Sequence, residues 1–146
     1  MGAAQPLHLI GCAAMKLPHA APARDLYVSD LFRKAVAYAE ARGAPWVILS
    51  ALHGVVDPSR FLTPYNRTLT MMLREERKAW GAMVARQLGD LAAHDVVFLA
   101  GANYRLPIVE SPLWLERRYR ATAPMEGLGI GEQKAWLLRN TPMVAA

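Results

Sequence analysis

Three short, mostly apolar runs constrain this chain more than any other feature. They are Leu-His-Leu-Ile at 7–10, Trp-Val-Ile-Leu at 46–49 and Val-Val-Phe-Leu at 96–99, each separated from the next by residues with helical spacing. A strand apolar at successive positions has no solvent face. Strands of that kind, alternating with helices, predict a mostly parallel sheet covered on both sides. The 146 residues suffice for one core and are too few for two, so the prediction is a single compact α/β domain over 1–146 with a Rossmann-like sheet flanked by helices.

The connecting segments follow from local signals. Ser29 is placed to cap a helix over 31–42, with Leu31, Phe32, Ala35, Tyr38 and Ala39 on one face and Gly43 as its stop. The spacing predicts further helices over 71–91, 107–118 and 131–139, and a strand near 119–123. Residues 17–24 hold Pro18 and Pro22 and read as an irregular loop. Residues 51–68, with Gly54, Pro58 and Pro64, are non-helical and long for a connection, which is where function concentrates.

Composition narrows the function. A hydrophobic fraction of 53% supports a packed core. Seventeen Lys and Arg against twelve Asp and Glu give +5, which favours encounter with phosphates, although the basic residues lie in short groups mixed with acids as on solvated helix faces. One cysteine excludes an internal disulfide and a thiolate-rich zinc site. The histidines at 8, 19, 53 and 94 have no metal-ligand spacing, so neither a metal nor a cofactor is expected. With no secretory leader pattern and no run long enough to cross a bilayer, the expected compartment is the cytoplasm, with no membrane partner.

In parallel sheets ligands bind beyond the carboxyl ends of the strands, so the residues just after each run are the candidates. The first group is Cys12, Lys16, Arg24, Asp25, Tyr27 and Ser29. A cation beside Cys12 would favour a thiolate nucleophile, whereas a lone cysteine can equally be a small buried hydrophobe. Arg24 and Asp25 read as either a loop-holding ion pair or a phosphate clamp with its orienting carboxylate. The second group is Ser50, His53, Gly54, Asp57 and Tyr65. His53 is the acid/base candidate because its ordinary pKa lies nearest neutrality, and Asp57 could orient it. The third is Glu126, Gly127 and Gly129 ahead of the last helix, where glycines admit close ligand approach or simply make a turn.

These residues also carry a resemblance. Ser50-Ala51-Leu52-His53-Gly54 followed by Pro64-Tyr65-Asn66-Arg67 resembles the strand-to-loop motif of the YaaA superfamily. Cys12, Lys16, Ala23 to Tyr27, Ser29, Leu31-Phe32, Lys34 and Glu126 to Gly131 are similar to a short bacterial and phage branch of it. A looser similarity, through Cys12, Lys16, Tyr27 and Ser29, reaches the core domain of archaeosine synthase. His53 stands where YaaA carries tyrosine. The resemblance implies a nucleotide or nucleic acid as ligand and two expectations: base-modifying or glycosidic transfer chemistry, or non-catalytic DNA binding.

Overall fold

The computed structural model describes residues 5–91 and 93–142. Its central sheet has five strands: β1 (Leu7–Gly11), β3 (Trp46–Ser50), β4 (Gly54–Val56), β6 (Asp95–Leu99) and β7 (Arg120–Thr122). They lie in the order β4-β3-β1-β6-β7. β1 pairs in parallel with β3 and β6, β6 pairs in parallel with β7, and only β4 runs antiparallel. The expected α/β class with a mostly parallel sheet is therefore present. A small ribbon of β2 (Ala21–Pro22) and β5 (Phe61–Leu62) lies outside it.

Both faces are covered, which is why the three central strands are mostly apolar. Ile10, Ile48 and Leu99 point to one face and meet Phe32, Tyr38 and Leu137 from α2 (Asp30–Ala41) and α6 (Ile130–Asn140). Leu9, Leu49 and Phe98 point to the other. They meet Trp80, Val84, Ile108 and Trp114 from α3 (Arg74–Gly89), α4 (Ala102–Val109) and α5 (Pro112–Arg117). The chain leaves β1 through α2 for β3 on one side, and later returns to β6 on β1's other side. The strand order thus reverses between β1 and β6, the place where open α/β sheets hold ligands.

Ser29 caps α2 as expected, its hydroxyl accepting the Phe32 N–H at 3.1 Å. Four expectations need correction. The helix expected from 71 starts later: a 3-10 turn occupies Leu69–Met71 and α3 begins at Arg74, with Glu76 accepting the Leu73 N–H at 3.0 Å. The helix expected over 107–118 is two helices, because Ser111 and Pro112 form a fresh start at which the Ser111 hydroxyl accepts the Trp114 N–H. Residues 51–68 are non-helical as expected but contain β4 and β5, and the loop expected over 17–24 holds β2 and the start of a single helical turn, α1 (Ala23–Leu26). Among the described residues no helix is long and apolar enough to cross a membrane.

Helices α3 and α4 cross at a very close approach. A Cβ on Gly81 would lie 2.1 Å from the Pro107 carbonyl oxygen and 2.3 Å from its carbon, so only glycine fits there. At the far end of the sheet, His8 is wholly buried. Its Nδ1 lies 2.8 Å from the Pro6 carbonyl, and its Nε2 has no partner among the described residues. A carbonyl only accepts, so Nδ1 carries the hydrogen and Nε2 keeps a bare lone pair.

Candidate functional site

The carboxyl ends of β1 and β3 deliver a polar cluster to one rim. The Cys12 N–H continues the ladder to the Leu49 carbonyl at 3.0 Å, and Lys16 pairs with Tyr27 through an isolated antiparallel bridge. Ser50 is fully buried at the end of β3. Its hydroxyl accepts the N–H groups of Leu52 at 3.2 Å and His53 at 3.1 Å, which shapes the turn into β4. Gly54 sits in that turn with φ +74°, a conformation that favours glycine.

Tyr65 is the centre of the cluster. Its hydroxyl lies 2.6 Å from Ser50 Oγ, 2.5 Å from the Tyr27 hydroxyl and 4.0 Å from Cys12 Sγ. The Lys16 ammonium stands 4.4 Å from the Tyr65 ring centroid and 5.7 Å from that of Tyr27. The His53 imidazole meets the Tyr65 ring edge-on, 5.4 Å between centroids. From the other wall, Tyr104 of α4 donates to the Cys12 carbonyl at 3.0 Å, with Cys12 Sγ 3.3 Å from its hydroxyl.

Burial sets the protonation states. It pushes the phenols of Tyr27, Tyr65 and Tyr104 above their ordinary range, so all three remain hydroxyls at neutral pH. His53 is held below its usual value by partial burial and then by the Arg60 guanidinium, which keeps the imidazole neutral and able to accept a proton. Among the described residues no group of three or more His, Cys, Asp and Glu is arranged to hold a metal.

Not every candidate reaches this rim. Arg24 turns away, its guanidinium 3.2 Å from Glu40 and over the Trp46 ring at 5.8 Å, next to the amino end of β3. The ion-pair alternative therefore applies, but with Glu40 rather than Asp25. Asp25 is exposed on α1 and makes no hydrogen bond or ion pair to the cluster. Asp57 is also misplaced for orienting His53, because β4 runs back along β3 and carries it towards the amino ends of the strands. There it lines a hollow with Pro45 and His94 and accepts from Ser59 N–H and Oγ–H at 2.9 and 2.6 Å.

The third group adjoins the cluster without joining it. Ser29, Cys12, Tyr104, Gly101 and Gln133 line a cavity of about 110 Å³ on the far side of the thiol. Beyond it, Glu126, Gly127 and Gly129 line a hollow of about 360 Å³. Glu126 pairs with Arg105 at 3.3 Å, Gly127 has φ +82°, and the Gly129 N–H is taken by Glu132 at 3.1 Å.

Several residues that build the site lack a sequence signal. Trp80 Nε1 donates to the Ser50 carbonyl at 2.9 Å. Gln87 accepts the Val55 N–H at 2.7 Å and donates to the His53 carbonyl at 3.1 Å, straddling Gly54. Both look like ordinary positions within a helix. Tyr104, by contrast, follows the third apolar run as Cys12 follows the first, and that shared placement points to it.

Fold and rim together define an open α/β-sheet protein with a hydroxyl-rich cluster beside its switch point. The profile of the family of unknown function DUF6884 matches residues 7–139, and the chain belongs to that family. No curated protein matches it.

Proposed function

We propose that this chain is an enzyme acting on a nucleobase, nucleotide or nucleic acid, with base-modifying or glycosidic transfer chemistry. The observation that carries this reading is the convergence of a cation, an imidazole and a thiol on one phenol, through Lys16, His53, Cys12 and Tyr65. Lys16 holds phosphate, the neutral His53 imidazole moves protons, and the Tyr65 ring offers a base an aromatic face. Stacking of that kind contributes about 1–3 kcal/mol per base. The likeness to the YaaA superfamily and to archaeosine synthase supports the ligand class. Arg24, Asp25 and Asp57 have no part in the proposal.

The test is a melting-temperature screen with mononucleotides and short oligonucleotides. A ligand that stabilises the wild type should fail to stabilise Lys16→Gln, while His53→Ala should bind it and lose turnover. No stabilisation by any nucleotide or oligonucleotide would reject the reading. Non-catalytic DNA binding is favoured by one observation: Arg74, Arg77 and Lys78, against the carboxylates Glu75 and Glu110, line a groove of about 470 Å³ between α3 and the α4–α5 pair. Under that alternative, affinity falls steeply with salt and His53→Ala changes nothing.

A further inference from the structure

The hydrogen bonds around Tyr65 decide which hydroxyl of the cluster is left with a free hydrogen. A hydroxyl donates one hydrogen and accepts two. Ser50 Oγ already accepts the N–H groups of Leu52 and His53, so its own hydrogen must be donated, and the Tyr65 oxygen lies 2.6 Å away. Tyr27 has no exposed surface, and the Tyr65 hydroxyl is its hydroxyl's hydrogen-bond partner among the described residues. Buried donors are almost always paired, so Tyr27 also donates to Tyr65. Both lone pairs of the Tyr65 oxygen are then occupied. Its hydrogen is left facing Cys12 Sγ across 4.0 Å, a separation too long to bind that hydrogen firmly.

We propose that Tyr65 is the proton donor of the site, a role that rests on the catalytic reading above. As the proton bonds to a basic atom developing on the ligand, the Tyr65 O–H bond breaks and its electron pair stays on the phenolate oxygen. That oxygen keeps two donated hydrogen bonds, from Ser50 on β3 and from Tyr27 after α1. The Lys16 ammonium, on the loop after β1, lies against the same ring. The remaining titratable or charged groups around Tyr65 are Cys12 on the loop after β1, the neutral His53 with Arg60 near it, and, against the thiol, Tyr104 from α4. None of the carboxylates among the described residues makes a hydrogen bond or ion pair to this cluster, and one there would oppose the phenolate.

The test is 3,5-difluorotyrosine placed at position 65, whose fluorines lower the phenol's pKa and offset the upward push of burial, with its titration followed by fluorine NMR in the protein without ligand. Tyr27→Phe and Lys16→Gln should each raise the midpoint by about half a unit or more, since each removes a group that stabilises the phenolate. A midpoint that stays put or falls in both variants overturns the assignment. Both changes keep most of the side chain, and the melting temperature of each variant checks that the fold survives. Failure of every nucleotide to bind would reject the proposed function and leave this titration unaltered.

Discussion

Replacing Gly81 by alanine tests how the two walls of the site are joined. The new Cβ would stand 2.1 Å from the Pro107 carbonyl oxygen, where unstrained heavy-atom contacts need more than about 3 Å. The obstacle is backbone rather than a flexible side chain, so α4 must withdraw by about 1 Å. Overpacking of this kind costs about 1–3 kcal/mol, and more where the backbone resists. The better helix propensity of alanine returns at most about 1 kcal/mol. The net loss should be about 1–2 kcal/mol, or roughly 2–8 °C in melting temperature for a chain of this length. Tyr104 precedes Pro107 by one helical turn, so its hydroxyl should leave the Cys12 carbonyl. Labelling of Cys12, the sole thiol of the chain, should then be several-fold faster. Gly131→Ala is the control, because its Cβ meets no atom within 4 Å and it should be neutral or slightly stabilising. A Gly81→Ala protein as stable as the wild type, with unchanged thiol labelling, would refute the reasoning.

Two further outcomes can be measured on the same protein. Gln87→Leu removes both bonds that clamp His53 and Val55, and urea unfolding should show a loss of about 1–3 kcal/mol; an unchanged midpoint would mean the clamp contributes nothing. The buried His8 has a pKa held below 6.5 by desolvation, with Arg42 adding to the push against its bond to Pro6. The unfolded chain therefore takes up a proton there that the folded one refuses, and this part of the stability is present above about pH 6.5 and lost as pH falls below it. His53 shifts in the same direction. The drop in melting temperature between about pH 7.5 and pH 5.5 should be smaller in His8→Leu than in the wild type, and equal drops would exclude His8 as its source.

How much was legible in the sequence follows from how local each signal is. The strands at 46–49 and 96–99 could be read because burial on both faces leaves them no polar position. Ser29 could be read because a cap is a two-turn affair. The short edge strand β4 could not, since three residues around a glycine turn carry no periodicity. The direction of that strand decided the fate of Asp57: four residues after His53 suggests a neighbour, yet an antiparallel return carries it to the other end of the sheet. Arg24 escaped for a related reason, because its partner Glu40 lies sixteen positions away on α2. That Cys12 and Ser50 share one rim was foreseeable from the strand ends, whereas Lys16, His53 and Tyr65 reach it on the segments that follow. Their supports, Trp80 and Gln87, depend on which side of α3 faces the turn.

Both walls of the rim hang from one strut. Helix α3 grips the β3–β4 turn through Trp80 and Gln87, and it is locked to α4, which carries Tyr104, through Gly81. The spacing between the Ser50 turn and Tyr104 is thus set by α3, whereas the loop bearing Lys16 is tied to Tyr27 instead, so any rearrangement of the rim falls to that loop.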